Sequence, residues 1–321
     1  MRVAAALFML SGALLLQTEI CAQPYPAKSI RLIVAYAAGG GTDVVGRVFA
    51  QKLTESLGKQ VIVDNRPGAA GNIATELAVR SAPDGYTLLM GNIGPIAVNP
   101  HLYKLPFDPL RDLAPVTFLA AAPLLVVVHP ALPVKSLREL IALARQQPGA
   151  LSYSSAGVGS SNHLAGALFN IEARTNVVHI PYKGAAPAVT DLIAGQVQLS
   201  FQTLPSVGGA MKAKRVKALA VTSAKRSSAY PDIPTSAEAG LQGFEVSAWY
   251  SIVAPAGTPR PIIDRLHTEL AKALKQQDVM DRLTVEGAEP AGLPPDAFAE
   301  FMRSETAKWG RVVKMSGMKA E

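Results

Sequence analysis

Two short glycine-rich segments carry the residues whose types and spacing could bind a ligand. The first is AAGGGTD at 37–43, and the second is SSAGVGSSNH at 154–163. Glycine lets a backbone approach a ligand without obstruction by Cβ. Each segment stands between a predicted strand and a predicted helix, and the free N–H groups of a helix's first turn form an anion site. The pair therefore predicts a cleft lined by backbone donors from two sides.

The number of donors needed is small. A charge-assisted hydrogen bond contributes roughly 1.5–3 kcal/mol, so four or five of them would supply the ~8 kcal/mol of a micromolar complex. No arginine or lysine is required. Each segment could instead be only a tight turn, but its repetition in both halves of the chain favours a ligand site. Neither segment has the spacing of a dinucleotide-binding fingerprint or of a P-loop.

Catalytic and metal-binding interpretations have little support in the sequence. Ser160 and His163 lie three residues apart at a predicted helix start, where a serine nucleophile is conceivable, yet no G-x-S-x-G elbow occurs. The chain has one cysteine, Cys21. The other histidines stand singly, at positions 101, 129, 179 and 267. The sequence therefore predicts no enzyme activity, no cofactor and no metal site.

The elements that must position these segments alternate between strand and helix, which predicts an α/β fold with mostly parallel sheets. Predicted strands cover 29–36, 61–63, 86–90, 124–128, 151–155, 177–180, 197–201, 216–222 and 249–254. Predicted helices cover 42–57, 72–80, 160–173, 185–194 and 205–213. A further helix is predicted to begin with a capping box at Ser136 and Glu139. The tail after 259 is predicted to be helical, with its last helix starting near Pro295.

The chain is long enough for two domains. Because the helical tail has no sheet of its own, we expect the chain to cross into a second domain near Pro123 and to return near Trp249. The prediction is a signal peptide at 1–22, domain one from 23–123 and 250–321, and domain two from 124–249. Two crossings form a hinge that allows the domains to close on a ligand.

The N-terminus predicts export to the periplasm. Arg2 precedes an apolar run that ends at Leu16, and Ala22 offers a small residue for cleavage, as in a secretory signal. The run is shorter than the roughly 20 residues of a membrane-spanning helix. The net charge is +7, but the basic cluster at 212–217 has no interleaved aromatic residues, so we expect no nucleic-acid partner.

Taken in order, the segments resemble the Bug family, the binding components of tripartite tricarboxylate transporters. The resemblance covers nearly all of the mature chain and rests on these segments: AAGGGTDVVGR, VIVDNRPGAAGNI, APDGYTLLMG, LPFDPLRDL, LSYSSAGVGSSNHLAGALF, HIPYKGAAPAVTDLIAGQV, ALAVTSAKR, PDIPTSAEAG and APAGTP. It implies a two-domain periplasmic-binding-protein fold of the second type, with a cleft that binds an organic acid. It also implies a monomer that serves a large and a small membrane subunit.

The resemblance assigns ligand-binding residues at matching positions. They are Gly40, Gly41, Thr42 and Asp43 in the first loop, Ser155, Ala156, Gly157, Ser160 and His163 in the second, and Asn92, Tyr182, Lys183 and Gln202 around the pocket. Gln202 stands where the family often has Asp, which argues against a ligand with an amino group. Two alternatives stay open: the binding component of a sensory system, and a hydrolase on the same α/β plan.

Overall fold

The computed structural model describes residues 25–36, 38, 41–182, 184–227, 230–285 and 287–319, and the predicted signal peptide lies outside them. Within these residues the chain forms ten strands. They are β1 (Ile30–Val34), β2 (Val61–Asn65), β3 (Thr87–Asn92), β4 (Leu113–Val128), β5 (Ser152–Ser155), β6 (Val178–Pro181), β7 (Leu199–Thr203), β8 (Lys217–Val221), β9 (Ser247–Pro255) and β10 (Glu289–Leu293).

Helices cover both faces of the strands, which confirms the α/β prediction. A 3-10 turn at Ala69–Gly71 and a π-helical turn at Gly94–Val98 accompany the α-helices. The α-helices are α1 (Gly41–Leu57), α2 (Asn72–Val79), α3 (Asn99–Leu102), α4 (Pro109–Asp112), α5 (Leu137–Gln146), α6 (Ser161–Ala173), α7 (Ala185–Ile193), α8 (Leu204–Lys212), α9 (Arg260–Ala273), α10 (Gln277–Val285) and α11 (Pro295–Ser316).

The strands form two sheet segments that share β4. In the first lobe the order is β2-β1-β3-β9-β4, with β10 on the other edge of β4; in the second lobe the order is β4-β7-β5-β6, with β8 also on β4. The outer pairs β1–β2, β1–β3, β5–β6 and β5–β7 are parallel, whereas the pairs made by β4 and β9 are antiparallel. Each sheet is therefore mixed, with its parallel part away from the shared strand.

The passage between the lobes lies within β4. Pro123 still pairs with Ser247 of β9, whereas Leu124 pairs with Thr203 of β7. The buried Thr222 joins the segments that meet here. Its Oγ1 accepts a hydrogen bond from Leu124 N at 2.9 Å and lies 2.6 Å from the carbonyl oxygen of Val246.

One apolar core extends through both lobes on the same face of the strands. It includes Phe118, Trp249 and Phe298 from the first lobe and Phe169 and Phe201 from the second. The long helix α11 packs against β4 and also against α6 of the second lobe. The sequence predicted that the tail packs on the first domain; α9 does so, against α1, but α11 contacts both lobes.

Two elements differ from the sequence-based prediction. The strand predicted at 124–128 begins at Leu113, because β9 and β10 pair with both edges of the Ala-rich stretch before Pro123. The tail, predicted to be helical, contains β10. Its Pro290 and Gly292 disfavour a strand locally, and an edge position that needs pairing on one side only accommodates them.

Candidate functional site

The first loop ends where α1 begins. Gly41 is the first residue of α1, one residue before the predicted helix start, so Thr42 lies inside the first turn. Gly40 lies outside the described residues. Gly41 and Thr42 are both half-buried. The first N–H groups of a helix have no partner within the helix, which makes this end of α1 suitable for an anion.

Asp43 is buried at the start of α1 and is held by other side chains. One carboxylate oxygen accepts a hydrogen bond from Arg47 Nε at 2.9 Å, and the other accepts one from Asn65 Nδ2 at 2.9 Å. Asp43 is only 2% exposed. This geometry suits a residue that fixes the loop, and direct contact of Asp43 with a ligand stays a prediction.

A chain of hydrogen bonds continues from Asp43 to the end of β3. Asn65 Nδ2 also donates to the carbonyl oxygen of Tyr36 at 3.0 Å, and Tyr36 Oη donates to Asn92 Oδ1 at 3.2 Å. Burial raises the pKa of Tyr36 to about 12, so its hydroxyl stays protonated as a donor. Asn92, one of the predicted ligand residues, is buried as the last residue of β3.

The second loop is stabilised by its own backbone and hydroxyl groups. Ser160 caps α6 at the predicted helix start: its Oγ accepts from His163 N at 3.3 Å and donates to the carbonyl oxygen of Gly157 at 2.6 Å. Ser155 Oγ accepts from Gly157 N at 3.1 Å. The N–H of Gly159 donates to His163 Nδ1 at 3.2 Å.

Between residues 156 and 160, these bonds leave two N–H groups without a partner among the described residues. The N–H groups of Gly157, Gly159 and Ser160 are all used within the loop. Those of Ala156 and Val158 have no partner in the described part of the chain. Both residues are partly exposed. The donors available to a ligand therefore alternate along the loop, and Gly157 itself does not supply one.

Gly157 is required by the backbone conformation. Its φ is +120°, a value that residues with a Cβ rarely adopt. A Cβ at this position would lie 3.3 Å from the carbonyl oxygen of Tyr182. A substitution of Gly157 would thus strain the loop whether or not a ligand is present, so the ligand must be tested by changes elsewhere in the loop.

Two histidines lie beside the second loop. The rings of His163 and His179 are stacked with centroids 3.8 Å apart and planes inclined by 6°. Burial, and then the neighbouring His179 ring, lower the pKa of His163 to about 3; burial lowers the pKa of His179 to about 4. His179 Nε2 is 2.6 Å from Ser155 Oγ. Both rings are therefore neutral near neutral pH.

The residues predicted around the pocket have other contacts. Tyr182 Oη donates to Asp191 Oδ2 at 2.7 Å, and burial followed by Asp191 raises the pKa of Tyr182 to about 12. Gln202 is fully buried; its Nε2 donates to Ser200 Oγ at 2.9 Å, and its Oε1 accepts from Asn162 Nδ2 at 3.2 Å. Lys183 lies outside the described residues. Ligand contact by these side chains stays a prediction.

The second loop lies against the first lobe near the end of β3. A Cβ added to Gly94 would be 3.3 Å from Tyr36 Oη, 3.7 Å from Asn92 Oδ1 and 3.9 Å from the carbonyl oxygen of Gly159. The π-helical turn that contains Gly94 thus brings the two lobes together beside both loops. Turns of this kind are frequent at functional sites.

The described residues of the site offer few groups for catalysis or metal binding. The side chains of Ser160 and His163 do not bond to each other: Ser160 Oγ bonds to Gly157, and His163 Nδ1 to Gly159. Across the residues described, no group of three or more His, Cys, Asp or Glu side chains could hold a metal ion. Nor does any helix among them have the length and apolar character needed to span a membrane.

The sequence missed Tyr36, Asn65 and His179 as parts of the site. Asn65 and His179 lie on strands that neighbour the loop-bearing strands: β2 pairs with β1, and His179 of β6 pairs with Tyr153 of β5. Residues near the carboxyl ends of adjacent parallel strands meet at one edge of a sheet. Applying that rule to the neighbouring strands would have found Asn65 and His179, whereas Tyr36 lies two residues after β1, the strand that bears the first loop.

The chain is similar to proteins of the tripartite tricarboxylate transporter family receptor, a family that matches residues 45–318. It is 39% identical over 291 residues to the "UPF0065 protein in tcbD-tcbE intergenic region" of Pseudomonas sp. (strain P51), covering 90% of this chain and 86% of that protein. It is 38% identical over 302 residues to Protein BugT of Bordetella pertussis, covering 94% of this chain and 93% of BugT.

Solved structures have the same fold. An R. palustris protein with adipate matches with a TM-score of 0.82 and 37% identity over 92% of this chain and 99% of that one. MatC from Rhodopseudomonas palustris with bound malate gives a TM-score of 0.78 and 33% identity, covering 90% of this chain and 100% of MatC. The periplasmic binding protein BugD gives a TM-score of 0.78 and 33% identity, covering 92% of this chain and 100% of BugD.

These matches confirm the resemblance to Bug proteins and the two-lobed periplasmic-binding-protein fold that it implied. The family match extends over most of the chain. The alignments to two relatives above 30% identity cover 86% and 93% of those proteins. Two of the similar structures hold small carboxylates. The chain therefore belongs to the receptor family of the tripartite tricarboxylate transporters.

Proposed function

We propose that the protein binds a small carboxylate between its lobes in the periplasm and presents it to the large and small membrane subunits of a tripartite tricarboxylate transporter. The carboxylate contacts the start of α1 from the first lobe and the second loop from the other. The protein acts as a monomer, and its N-terminal segment directs export and is removed.

The observation that carries this proposal is that the N–H groups of Ala156 and Val158 in the second loop have no hydrogen-bond partner among the residues that the structure describes. The loop around them is fixed by hydrogen bonds, so these donors need no reorganisation on binding, and pre-organised donors bind an anion more tightly. The start of α6 directly follows, and the N-terminus of a helix favours negative charge. Carboxylates in two similar structures, adipate and malate, support the ligand class.

Binding without catalysis is part of the proposal. The hydroxyl of Ser155 lies 2.6 Å from His179 Nε2, which resembles the start of a serine nucleophile. However, Ser155 is fully buried, and its Oγ already accepts the N–H of Gly157. No carboxylate orients the His179 ring in the described chain. We expect the purified protein to hydrolyse no ester.

Titration calorimetry with adipate and with malate tests the proposal. Ala156 is partly exposed, so Ala156→Asp adds a negative charge to the loop with little strain. We expect it to weaken carboxylate binding at least about tenfold, because like charges in a partly dehydrated cleft repel. Ala156→Asn is the matched control, since it has the same shape without the charge.

Two results would contradict the proposal. Equal affinity of the Asp and Asn variants would mean that the ligand's carboxylate does not lie at this loop. A wild-type protein that binds no member of a panel of small mono-, di- and tricarboxylates would refute the ligand class. For transport, deletion of the gene should abolish uptake of the carboxylate identified in this way, and undiminished uptake would refute that role.

A further inference from the structure

A pair of histidines, His163 buried and His179 half-buried, holds the second loop at two points. His179, in β6, has its Nε2 2.6 Å from Ser155 Oγ. That oxygen accepts the N–H of Gly157 at 3.1 Å. His163 Nδ1 accepts the N–H of Gly159 at 3.2 Å. One ring thus fixes the start of the loop, and the other fixes its end.

The two rings form one unit because they are stacked against each other. Their centroids are 3.8 Å apart, and the Tyr153 ring also stacks on His179, with centroids 5.0 Å apart. Gly166 of α6 lies directly against Tyr153, since a Cβ there would come within 2.1 Å of that ring. A shift of one imidazole therefore displaces the other ring and the loop that both hold.

The surroundings keep the pair neutral. Both rings line a cavity of about 360 Å³ between α6, β6 and the end of α11, and the one further titratable group lining it among the described residues is Tyr153. No carboxylate faces the rings there. His163 must be neutral to accept the N–H of Gly159, because a protonated Nδ1 is a donor and cannot accept.

We propose that His179 and His163 are positioning residues of the ligand site, which fix the second loop in the conformation that leaves the N–H groups of Ala156 and Val158 free for a carboxylate. His179 acts through the hydroxyl of Ser155, and His163 acts through the N–H of Gly159. This inference rests on the carboxylate-binding function proposed above. It gives a role to His179, which the sequence shows only as an isolated histidine.

Substitutions at His179 separate its hydrogen bond from its stacking. His179→Phe keeps an aromatic ring but removes the bond to Ser155, whereas His179→Gln places an amide near the position of Nε2. In calorimetry with adipate and malate at neutral pH, we expect His179→Phe to bind about three- to tenfold more weakly, as for one lost neutral hydrogen bond. His179→Gln should recover most of that loss. His129→Phe, which changes a histidine outside the loop, should bind like the wild type.

A double-mutant cycle tests whether His179 acts through Ser155. If it does, Ser155→Ala should weaken binding to a similar extent, and His179→Phe should add almost nothing in the Ser155→Ala background. Wild-type affinity in His179→Phe would overturn the proposal. So would effects that multiply in the double variant, because His179 would then act independently of Ser155.

Hydrogen exchange of the ligand-free proteins gives a readout that needs no ligand. The amides of Gly157 and Gly159 should exchange faster in His179→Phe than in the wild type or in His129→Phe. If the wild type binds no carboxylate while this acceleration is seen, the proposed function fails and the positioning role stands. Unchanged exchange at both amides overturns the positioning role, whatever the ligand.

Discussion

The substitution Thr222→Val tests the junction between the lobes. Thr222 is fully buried where the chain passes from one lobe to the other. Its Oγ1 accepts from Leu124 N at 2.9 Å and lies 2.6 Å from the carbonyl oxygen of Val246. Valine has nearly the same shape but no hydroxyl. The change therefore removes these hydrogen bonds without opening a cavity.

The expected change in the free energy of unfolding follows from the polar groups that lose the Thr222 hydroxyl as a partner. The Leu124 N–H and the Val246 carbonyl oxygen would both stay buried, and each orphaned polar group costs about 1–3 kcal/mol. The extra apolar contact of the new methyl group offsets a part of this, so we expect the free energy of unfolding to fall by about 2–4 kcal/mol. The matched control, Thr222→Ser, keeps the hydroxyl and loses one methyl group, which costs about 1 kcal/mol.

Urea denaturation of the ligand-free proteins, followed by circular dichroism, measures the difference. The Thr222→Val midpoint should lie clearly below the midpoint of Thr222→Ser, with similar slopes for both. A value for Thr222→Val within about 0.5 kcal/mol of Thr222→Ser, the usual spread for substitutions away from special features, would refute the reasoning. The hydroxyl would then be dispensable at the junction, and packing alone would hold the segments together.

Three further predictions concern the first loop, the buried histidine and the closing motion. Asp43→Asn should lower the free energy of unfolding by about 1–3 kcal/mol. In either orientation, the new amide places an N–H donor opposite the donor of Arg47 or of Asn65. A urea midpoint equal to that of the wild type would contradict the role of Asp43 in fixing the loop. The lowered pKa of His163 means that the unfolded chain takes up a proton below about pH 6.5 while the folded protein does not, so the stability from this group is complete above that pH and is lost as the pH falls towards about 3. The loss from His163 between about pH 8 and pH 5 is about 2 kcal/mol. Because the lowered pKa of His179 adds its own loss in both proteins, urea unfolding across this range should show a fall about 2 kcal/mol larger in the wild type than in His163→Gln, and parallel pH profiles would disprove it. Small-angle scattering should give a smaller radius of gyration with bound adipate or malate than without, since a ligand that touches both lobes favours the closed state; identical profiles, with binding confirmed by calorimetry, would show that the lobes do not close.

The sequence predicted the parts of the fold that depend on local patterns. The alternation of strand and helix and the helix start at Ser160 are both present. So is the capping interaction at Ser136, whose Oγ accepts from Glu139 N at 3.2 Å. Glycine spacing also located both loops. These features depend on residues a few positions apart, whose capping and periodicity favour the local structure independently of tertiary contacts.

The missed features depend on contacts between distant parts of the chain. The pattern of Leu113–Ala122 does not indicate a strand, and it becomes one by pairing with β9 and β10. Gly157 was expected to contact a ligand, but its N–H bonds to Ser155 Oγ. His179 reaches Ser155 only because β5 and β6 pair in one particular register. Side-chain geometry across strands decides such points, and the sequence pattern does not contain it.

The position of β9 has a consequence for the order in which the chain folds. This strand lies between β3 and β4 in the first-lobe sheet, although β5–β8 separate it from them along the chain. During synthesis, the edges of β3 and β4 that pair with β9 therefore stay unpaired until β9 has been made. The strands of the second lobe, in contrast, follow one another closely along the chain. Contacts between distant segments form slowly, and exposed strand edges attract other chains. The second lobe should thus become ordered first, and insertion of β9 should complete the first.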